Sequence, residues 1–107
     1  MNDTTDDVFQ LDTGQDGEWT TLRLAGEFDT HAAMSFDRVV NDLTMGTDPK
    51  LRIDMTAVTF VDSSGLRSLV RARTRVGGKD ALVLHSPRAA TIRLLEITGL
   101  LDEFNIS

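Results

Sequence analysis

The sequence predicts an α/β fold: one domain with a mixed, four- to five-stranded sheet and about three to four helices packed on it. Segments in which apolar residues alternate, as in strands, are interleaved with segments in which they recur at helical spacing. Turns rich in glycine, aspartate and proline separate these segments. The length of 107 residues suits one domain with one core. The predicted order is β-β-α-β-α-β-α with a possible last strand, which indicates a partly parallel sheet.

The chain is expected to open with a hairpin. Residues 8–11 are a weak strand candidate. Residues 12–17 hold two glycines and two aspartates, which predict a turn. Residues 19–25 alternate apolar with polar side chains and are predicted to form the antiparallel partner strand.

A helix and a third strand come after the hairpin. Asp29 or Thr30 can cap the helix, which is predicted to run to about Leu43 because its apolar residues share one face. Residues 51–55 alternate apolar with charged side chains and predict the third strand. Apolar residues then continue to Val61.

The second half of the chain predicts two helices around a short strand. The first helix runs from about residue 64 to 76 and ends at a Gly-Gly pair. The unbroken apolar run 81–84 predicts a central strand covered on both faces. Ser86 as N-cap and Pro87 in the first turn predict the last helix, which ends near residue 98. Residues 104–106 suit an edge strand.

Charge and composition narrow the class of protein. The net charge of −6 arises from residues 1–18, which hold six acidic and no basic residues, whereas the rest holds 11 of each. Residues 1–7 are expected to form a flexible acidic tail, followed by one domain over residues 8–107. The acidic start does not resemble a signal peptide and disfavours direct nucleic-acid binding. With no cysteine, disulfides and Cys-based metal sites are excluded. A cytoplasmic protein without membrane contact is expected.

The segment 60–66, Phe-Val-Asp-Ser-Ser-Gly-Leu, is the strongest candidate site. A strand ends there and a helix begins, and the first turn of a helix offers free N–H groups and the positive end of the dipole. A phosphoryl group on Ser63 or Ser64 would be well placed beside those donors, and Gly65 keeps the backbone accessible. The alternative is that one of the serines is simply an N-cap.

This segment resembles the signature of the STAS family of anti-sigma factor antagonists. Three further stretches resemble that family in the same order: residues 24–29 (Leu-Ala-Gly-Glu-Phe-Asp), residues 51–55, and the C-terminal half with its Gly-Gly pair and residues 95–100. The resemblance covers roughly residues 8–107.

The resemblance implies a regulatory protein that works by binding. Such antagonists bind an anti-sigma factor that is also a serine kinase of the GHKL type, and this releases the sigma factor. Phosphorylation of the second serine, here Ser64, ends the interaction, and a PP2C-type phosphatase reverses it. Ser63 would support the turn, and Asp29 and Asp62 would lie near the site.

Arginines on the second helix extend the predicted partner surface. Arg67, Arg71 and Arg75 recur every four residues, with Arg73 nearby, and form either a solvated face or a stripe that pairs with an acidic partner. The family often has glycine where Arg67 stands. The predicted partner-binding residues are Asp29, Asp62, Ser63, Ser64, Gly65, Arg67 and Arg71.

Two other functions are alternatives to the antagonist. A small serine hydrolase would need His31 or His85 as a base, but Asp62 occupies the place of the first glycine of a nucleophile elbow. No metal-binding or phosphate-loop motif is present, so neither catalysis nor a cofactor is expected. A STAS module of a signalling scaffold or of a membrane transporter is the other alternative. The free-standing length and the intact serine pair favour the antagonist.

Overall fold

The computed structural model describes residues 9–107. The predicted acidic tail, residues 1–7, and Val8 lie outside the described residues. Within 9–107 the order of strands and helices is the predicted one, with the last strand present, so the predicted fold class is confirmed.

Five strands form one mixed sheet in the order β1-β2-β3-β4-β5. Strand β1 is antiparallel to β2, and the other neighbours are parallel. The elements in chain order are β1 Phe9–Asp16, β2 Trp19–Phe28, α1 Thr30–Thr44, β3 Lys50–Val61, α2 Ser63–Arg75, β4 Leu82–His85, α3 Ala89–Ile97 and β5 Asn105–Ile106. Two short 3-10 turns, Lys79–Ala81 and Leu101–Glu103, precede β4 and β5.

The three helices cover one face of the sheet. From β2 onward each helix connects a strand to its next neighbour in the same direction, and such crossovers are right-handed, so all three helices lie on the same side. Strand β4 shows the result: Leu82 and Leu84 are fully buried, whereas Val83 and His85 on the other face are half-buried. The prediction that this strand is covered on both faces is therefore wrong.

The hairpin is longer than predicted, and its turn is shorter. Asp12 pairs with Arg23 and Asp16 with Trp19, so β1 continues through most of the predicted turn. The reversal is confined to Gly17 and Glu18, where Gly17 adopts a positive φ of 62°. A polar edge strand such as β1 has little apolar pattern, and its pairing with β2 determines its length.

The third helix begins later than predicted. Ser86 is not its cap: its φ is 51°, and its N–H donates to the Ser107 carbonyl oxygen at 3.0 Å. The chain therefore pairs with the β5 end before it turns, and Arg88 is the N-cap, without a side-chain cap bond. The predicted helix ends are confirmed at Gly77 and Gly99, which adopt φ values of 95° and 75°.

Aromatic packing anchors the sheet edge that carries the candidate site. Phe28, the last residue of β2, is fully buried. Its ring lies edge-to-face on Phe36 of α1, with centroids 5.2 Å apart, and stacks on Phe9 of β1 at 5.7 Å. The end of β2 is thus held against both α1 and β1.

Candidate functional site

The candidate site lies where β2 and β3 end side by side. These strands are parallel, and the last residue of β2, Phe28, is opposite the last residue of β3, Val61. Asp29 and Asp62 come directly after them, and the Asp62 N–H donates to the Phe28 carbonyl oxygen at 3.3 Å. The pairing of the strands therefore brings two helix starts together, although they are separated by more than thirty positions in the sequence.

Asp62 is the N-cap of α2. Its Oδ1 accepts hydrogen bonds from the N–H groups of Ser64 at 2.9 Å and Gly65 at 3.0 Å. Neither serine is the cap, so the alternative of a purely capping serine does not hold for Ser63 or Ser64. Two of the N–H donors that a phosphoryl group was expected to use are already bonded to this carboxylate.

The two serines differ in their surroundings. Ser63 is exposed, whereas Ser64 is half-buried between the starts of α2 and α1. The Ser64 Oγ lies 2.8 Å from the Thr30 Oγ1, and either hydroxyl can be the donor. The sequence indicated Thr30 only as a possible cap of α1, a role that belongs to Asp29, whose Oδ1 accepts from the Ala32 N–H at 3.0 Å.

Gly65 is required by packing. It is buried, and a Cβ at this position would overlap the Phe28 carbonyl oxygen and lie 3.0 Å from the Phe28 Cγ. The expectation that this glycine keeps the backbone accessible is therefore wrong. It allows the first turn of α2 to lie directly on the end of β2.

The arginines of α2 do not form one uniform stripe. Arg71 donates to the Asp37 carboxylate of α1 at 2.7 Å and to the Ser68 Oγ at 3.0 Å. Arg73 pairs with Glu103 at 3.3 Å, away from the cleft. Arg67 is exposed and forms no ion pair within residues 9–107.

A cleft between α1 and α2 joins the serine to two of these arginines. It has a volume of about 200 Å³ and is lined by Thr30, Ala33, Met34, Asp37, Ser64, Arg67 and Arg71. Met34 is 59% exposed at its rim, which is a high value for a large apolar side chain. The cleft thus combines side-chain hydroxyls, arginine side chains and the exposed apolar side chain of Met34. This composition is suited to binding a protein surface.

The histidines are not placed as catalytic bases. The His85 Nδ1 lies 3.0 Å from the Ser107 Oγ, on the open face of the sheet. His31 is exposed in the first turn of α1, and the partner of the Ser64 hydroxyl is Thr30. No serine–histidine hydrogen bond joins either candidate base to Ser63 or Ser64 in residues 9–107.

Thr30 and Asp37 are the site residues that sequence reasoning missed. Each contacts a residue of α2 that lies 34 positions later in the chain. The usable signal was the prediction of adjacent parallel strands, because the residues after the ends of such strands meet at one sheet edge.

Comparison with known proteins identifies the family. The family model described as "STAS domain" matches residues 10–107. A curated relative, the anti-sigma-B factor antagonist of Listeria monocytogenes, is 32% identical over 93 residues, which cover 86% of this chain and 82% of the relative. The chain belongs to the STAS-domain family of anti-sigma factor antagonists.

Solved structures share the STAS fold. The crystal structure of an anti-sigma factor antagonist from Mycobacterium paratuberculosis superposes with a TM-score of 0.82 at 24% identity, covering 94% of this chain and 86% of that one. The Bacillus cell fate determinant SpoIIAA in its phosphorylated form gives a TM-score of 0.69 at 20% identity, covering 94% and 91%. Among the described residues of this STAS domain, no helix is both long and apolar enough to span a bilayer.

Proposed function

We propose that this protein is an anti-sigma factor antagonist that is switched off by phosphorylation at Ser64. In this proposal it binds an anti-sigma factor that is also a GHKL-type serine kinase and thereby releases the sigma factor. A PP2C-type phosphatase restores the unmodified form. The protein acts in the cytoplasm by binding, without a catalytic step of its own.

One observation supports Ser64 most directly: it lies in the first turn of α2 without capping it, and its hydroxyl, unlike that of Ser63, faces the Thr30 hydroxyl of α1. Because Asp62 supplies the cap, the Ser64 hydroxyl is not needed to start α2 and can be modified without removing the cap. Its contact with the Thr30 hydroxyl lies at the protein surface. The phosphorylated form of SpoIIAA shows that a related fold accommodates a phosphoryl group.

The partner surface is proposed to surround this serine. Its centre is the first turn of α2 with the neighbouring carboxylates of Asp29 and Asp62, and it continues along the cleft. The residues proposed to contact the partner are Asp29, Asp62, Ser63, Ser64, Gly65, Arg67 and Arg71. Gly65 would contribute through its backbone, because it is buried.

Electrostatics explain how modification would end binding. A phosphoryl group adds about −1.5 to −2 charges at neutral pH. It would be added beside Asp62 and close to Asp29, where a partner surface complementary to the unmodified serine would meet repulsion and a desolvation cost. A loss of about 3 kcal/mol would lower the affinity more than a hundredfold. No large conformational change is needed.

A pull-down and a subsequent kinase reaction test the proposal. Unmodified bait should retain an anti-sigma factor of the GHKL type from the source cells, and Ser64→Asp bait should not. Incubation of the purified pair with ATP should then add one phosphoryl group, located on Ser64 by peptide mass spectrometry.

Two variants serve as controls. Ser64→Ala should bind the anti-sigma factor constitutively and resist phosphorylation, whereas Ser63→Ala should still be modified at residue 64. Modification at Ser63 or at a threonine, or equal affinities of Ser64→Ala and Ser64→Asp in calorimetry, would contradict the proposal. Recovery of a transporter in place of a kinase would indicate an accessory module.

A further inference from the structure

The cleft between α1 and α2 holds a cation that the unmodified protein leaves unpaired. Arg67 forms no ion pair within the described part of the chain, whereas its neighbour on the same face, Arg71, is bonded to Asp37. Ser64 and Arg67 both line this cleft. An unpaired guanidinium therefore lies in the same cleft as the modifiable hydroxyl.

Helix geometry places the two side chains within reach of each other. Ser64 and Arg67 are three residues apart on α2, and residues at this spacing have Cβ atoms about 5–6 Å apart on one helix face. A phosphoryl group on the Ser64 Oγ extends outward by one P–O bond and presents three acceptor oxygens. A guanidinium offers planar, paired donors that match such oxygens.

Two N–H groups at the start of α2 are not free to receive the phosphoryl group. The N–H groups of Ser64 and Gly65 donate to Asp62, so a phosphate would have to displace that carboxylate to use them. The Asp62 carboxylate also repels a second anion. Among the side chains that line the cleft, the Thr30 hydroxyl lies next to the Ser64 Oγ. Arg67 is the cation of the cleft without an ion-pair partner in the described residues, because Arg71 is bonded to Asp37.

We propose that Arg67 captures the phosphoryl group of Ser64 and converts the modified site into an internal ion pair. This inference rests on the proposed phosphorylation of Ser64. Arg71 has a secondary role, because it would have to leave Asp37 in order to contribute. Phosphorylation then changes the surface twice: it adds negative charge and withdraws a free guanidinium from the partner.

The ionisation of the phosphoserine itself tests the ion pair. Protein carrying phosphoserine at position 64, installed during translation so that no kinase is needed, is titrated by ³¹P NMR. A nearby guanidinium favours the doubly charged phosphate, so Arg67→Ala should raise the titration midpoint by about half a pH unit, the effect of an ordinary exposed ion pair. Arg67→Lys should restore most of the difference.

Comparison among variants separates the effect of Arg67 on the phosphate titration from the effects of neighbouring charges. The other titratable or charged groups near this position are Asp62 at the start of α2, Arg71 on α2, and Asp29, His31 and Asp37 on or next to α1. All of them are retained in Arg67→Ala, so their effects cancel. Arg75→Ala carries the same charge change two turns farther along α2 and is the matched control.

The outcomes separate this inference from the proposed function. An upward shift in Arg67→Ala with no shift in Arg75→Ala supports the ion pair. Equal midpoints in the parent and Arg67→Ala, or equal shifts in both arginine variants, would overturn it. Because no kinase takes part, a failure of the anti-sigma factor to phosphorylate Ser64 would refute the proposed function and leave the titration result unchanged.

Discussion

Two helices of this protein begin in the same way at neighbouring positions on one sheet edge. Asp29 directly follows β2 and caps α1, and Asp62 directly follows β3 and caps α2. Their backbone angles are nearly equal, with φ/ψ of −102°/−167° and −101°/−174°. In both helices the N–H of the fourth helical residue donates to the carbonyl oxygen of the aspartate, at 2.8 Å in α1 and 3.0 Å in α2.

The two starts differ in the residues after the cap. In α1 the third helical residue is Ala32, which is buried, whereas in α2 it is Gly65, which lies against the Phe28 backbone. Asp29 accepts one N–H and Asp62 accepts two. The start of α2 is therefore more fully capped by its aspartate, so neither serine hydroxyl is needed as a cap.

The largest predicted effect concerns the glycine that distinguishes the two starts. Gly65→Ala should destabilise the protein by about 2–3 kcal/mol, because the added methyl group overlaps a backbone carbonyl that cannot rotate away. Urea unfolding measures the change. Gly14→Ala is the matched control, since a Cβ there has no atom within 4 Å and should change stability by only a few tenths of a kcal/mol. Equal losses of stability in Gly65→Ala and Gly14→Ala would show that the contact with Phe28 is not the cause.

The two capping aspartates should differ in their contribution to stability. Replacing a capping Asp by Ala costs about 0.5–2 kcal/mol. We expect Asp62→Ala to lie near the upper end of that range and Asp29→Ala near its middle, because Asp62 accepts two N–H groups and Asp29 one. Asp→Asn at either position keeps the acceptor oxygen and should recover most of the loss. A larger loss of stability in Asp29→Ala than in Asp62→Ala would contradict this expectation.

The hydroxyl pair that links the two helix starts should contribute less. Thr30→Val removes the partner of the Ser64 Oγ and is expected to cost about 0.5 kcal/mol, since the pair is exposed to water. Thr30→Ser retains the hydroxyl and should unfold at the urea midpoint of the parent. If Thr30→Val unfolds at the urea midpoint of the parent, the hydroxyl pair makes no measurable contribution to stability.

An aspartate within β3 that caps no helix gives the smallest predicted effect. Burial opposes the ionisation of Asp54, but the hydroxyl and amide of Thr56, together with His85 and Arg23, hold the pKa of this carboxyl below its ordinary value of 3.8. Because the pKa is lower in the folded state, the ionised carboxyl stabilises the protein at pH values above the ordinary pKa. This stabilisation is lost as the pH falls through the folded pKa. Asp54→Asn should therefore be less stable than the parent at neutral pH.

The pH dependence distinguishes charge from packing at Asp54. The stability difference between Asp54→Asn and the parent should narrow as the pH is lowered below the ordinary pKa, because the parent carboxyl then protonates as well. Urea midpoints measured at several pH values give this curve. A difference that stays constant with pH would indicate that the amide disturbs the Thr56 contacts instead.

Local signals account for the parts of the fold that could be predicted. Helices α1 and α2 were recognised from apolar spacing, and the ends of α2 and α3 from glycines whose positive φ is a property of single residues. The features that were predicted wrongly depend on pairing between residues far apart in the sequence. The extent of β1 is determined by its register with β2. Ser86 does not cap α3, because its backbone has a positive φ and pairs with Ser107, and the helix begins only at Ala89.

The candidate site also has a part that could be predicted from local sequence and a part that could not. The segment from Asp62 to Gly65 could be found because a strand end, a polar turn and a helix start are contiguous in the sequence. The contacts of Ser64 with Thr30 and of Arg71 with Asp37 could not, because no local pattern joins residues 34 positions apart.

The sequence by itself determined the alternation of strands and helices, the position of the serine pair at a helix start and the resemblance to the STAS family, because each depends on neighbouring residues. Tertiary structure decided which side chain caps α2, why Gly65 must lack a side chain, and which arginine is left unpaired in the cleft. Those properties depend on the parallel pairing of β2 with β3, because it brings the starts of α1 and α2 into contact. That contact determines which partner each carboxylate, hydroxyl and guanidinium group at the site has.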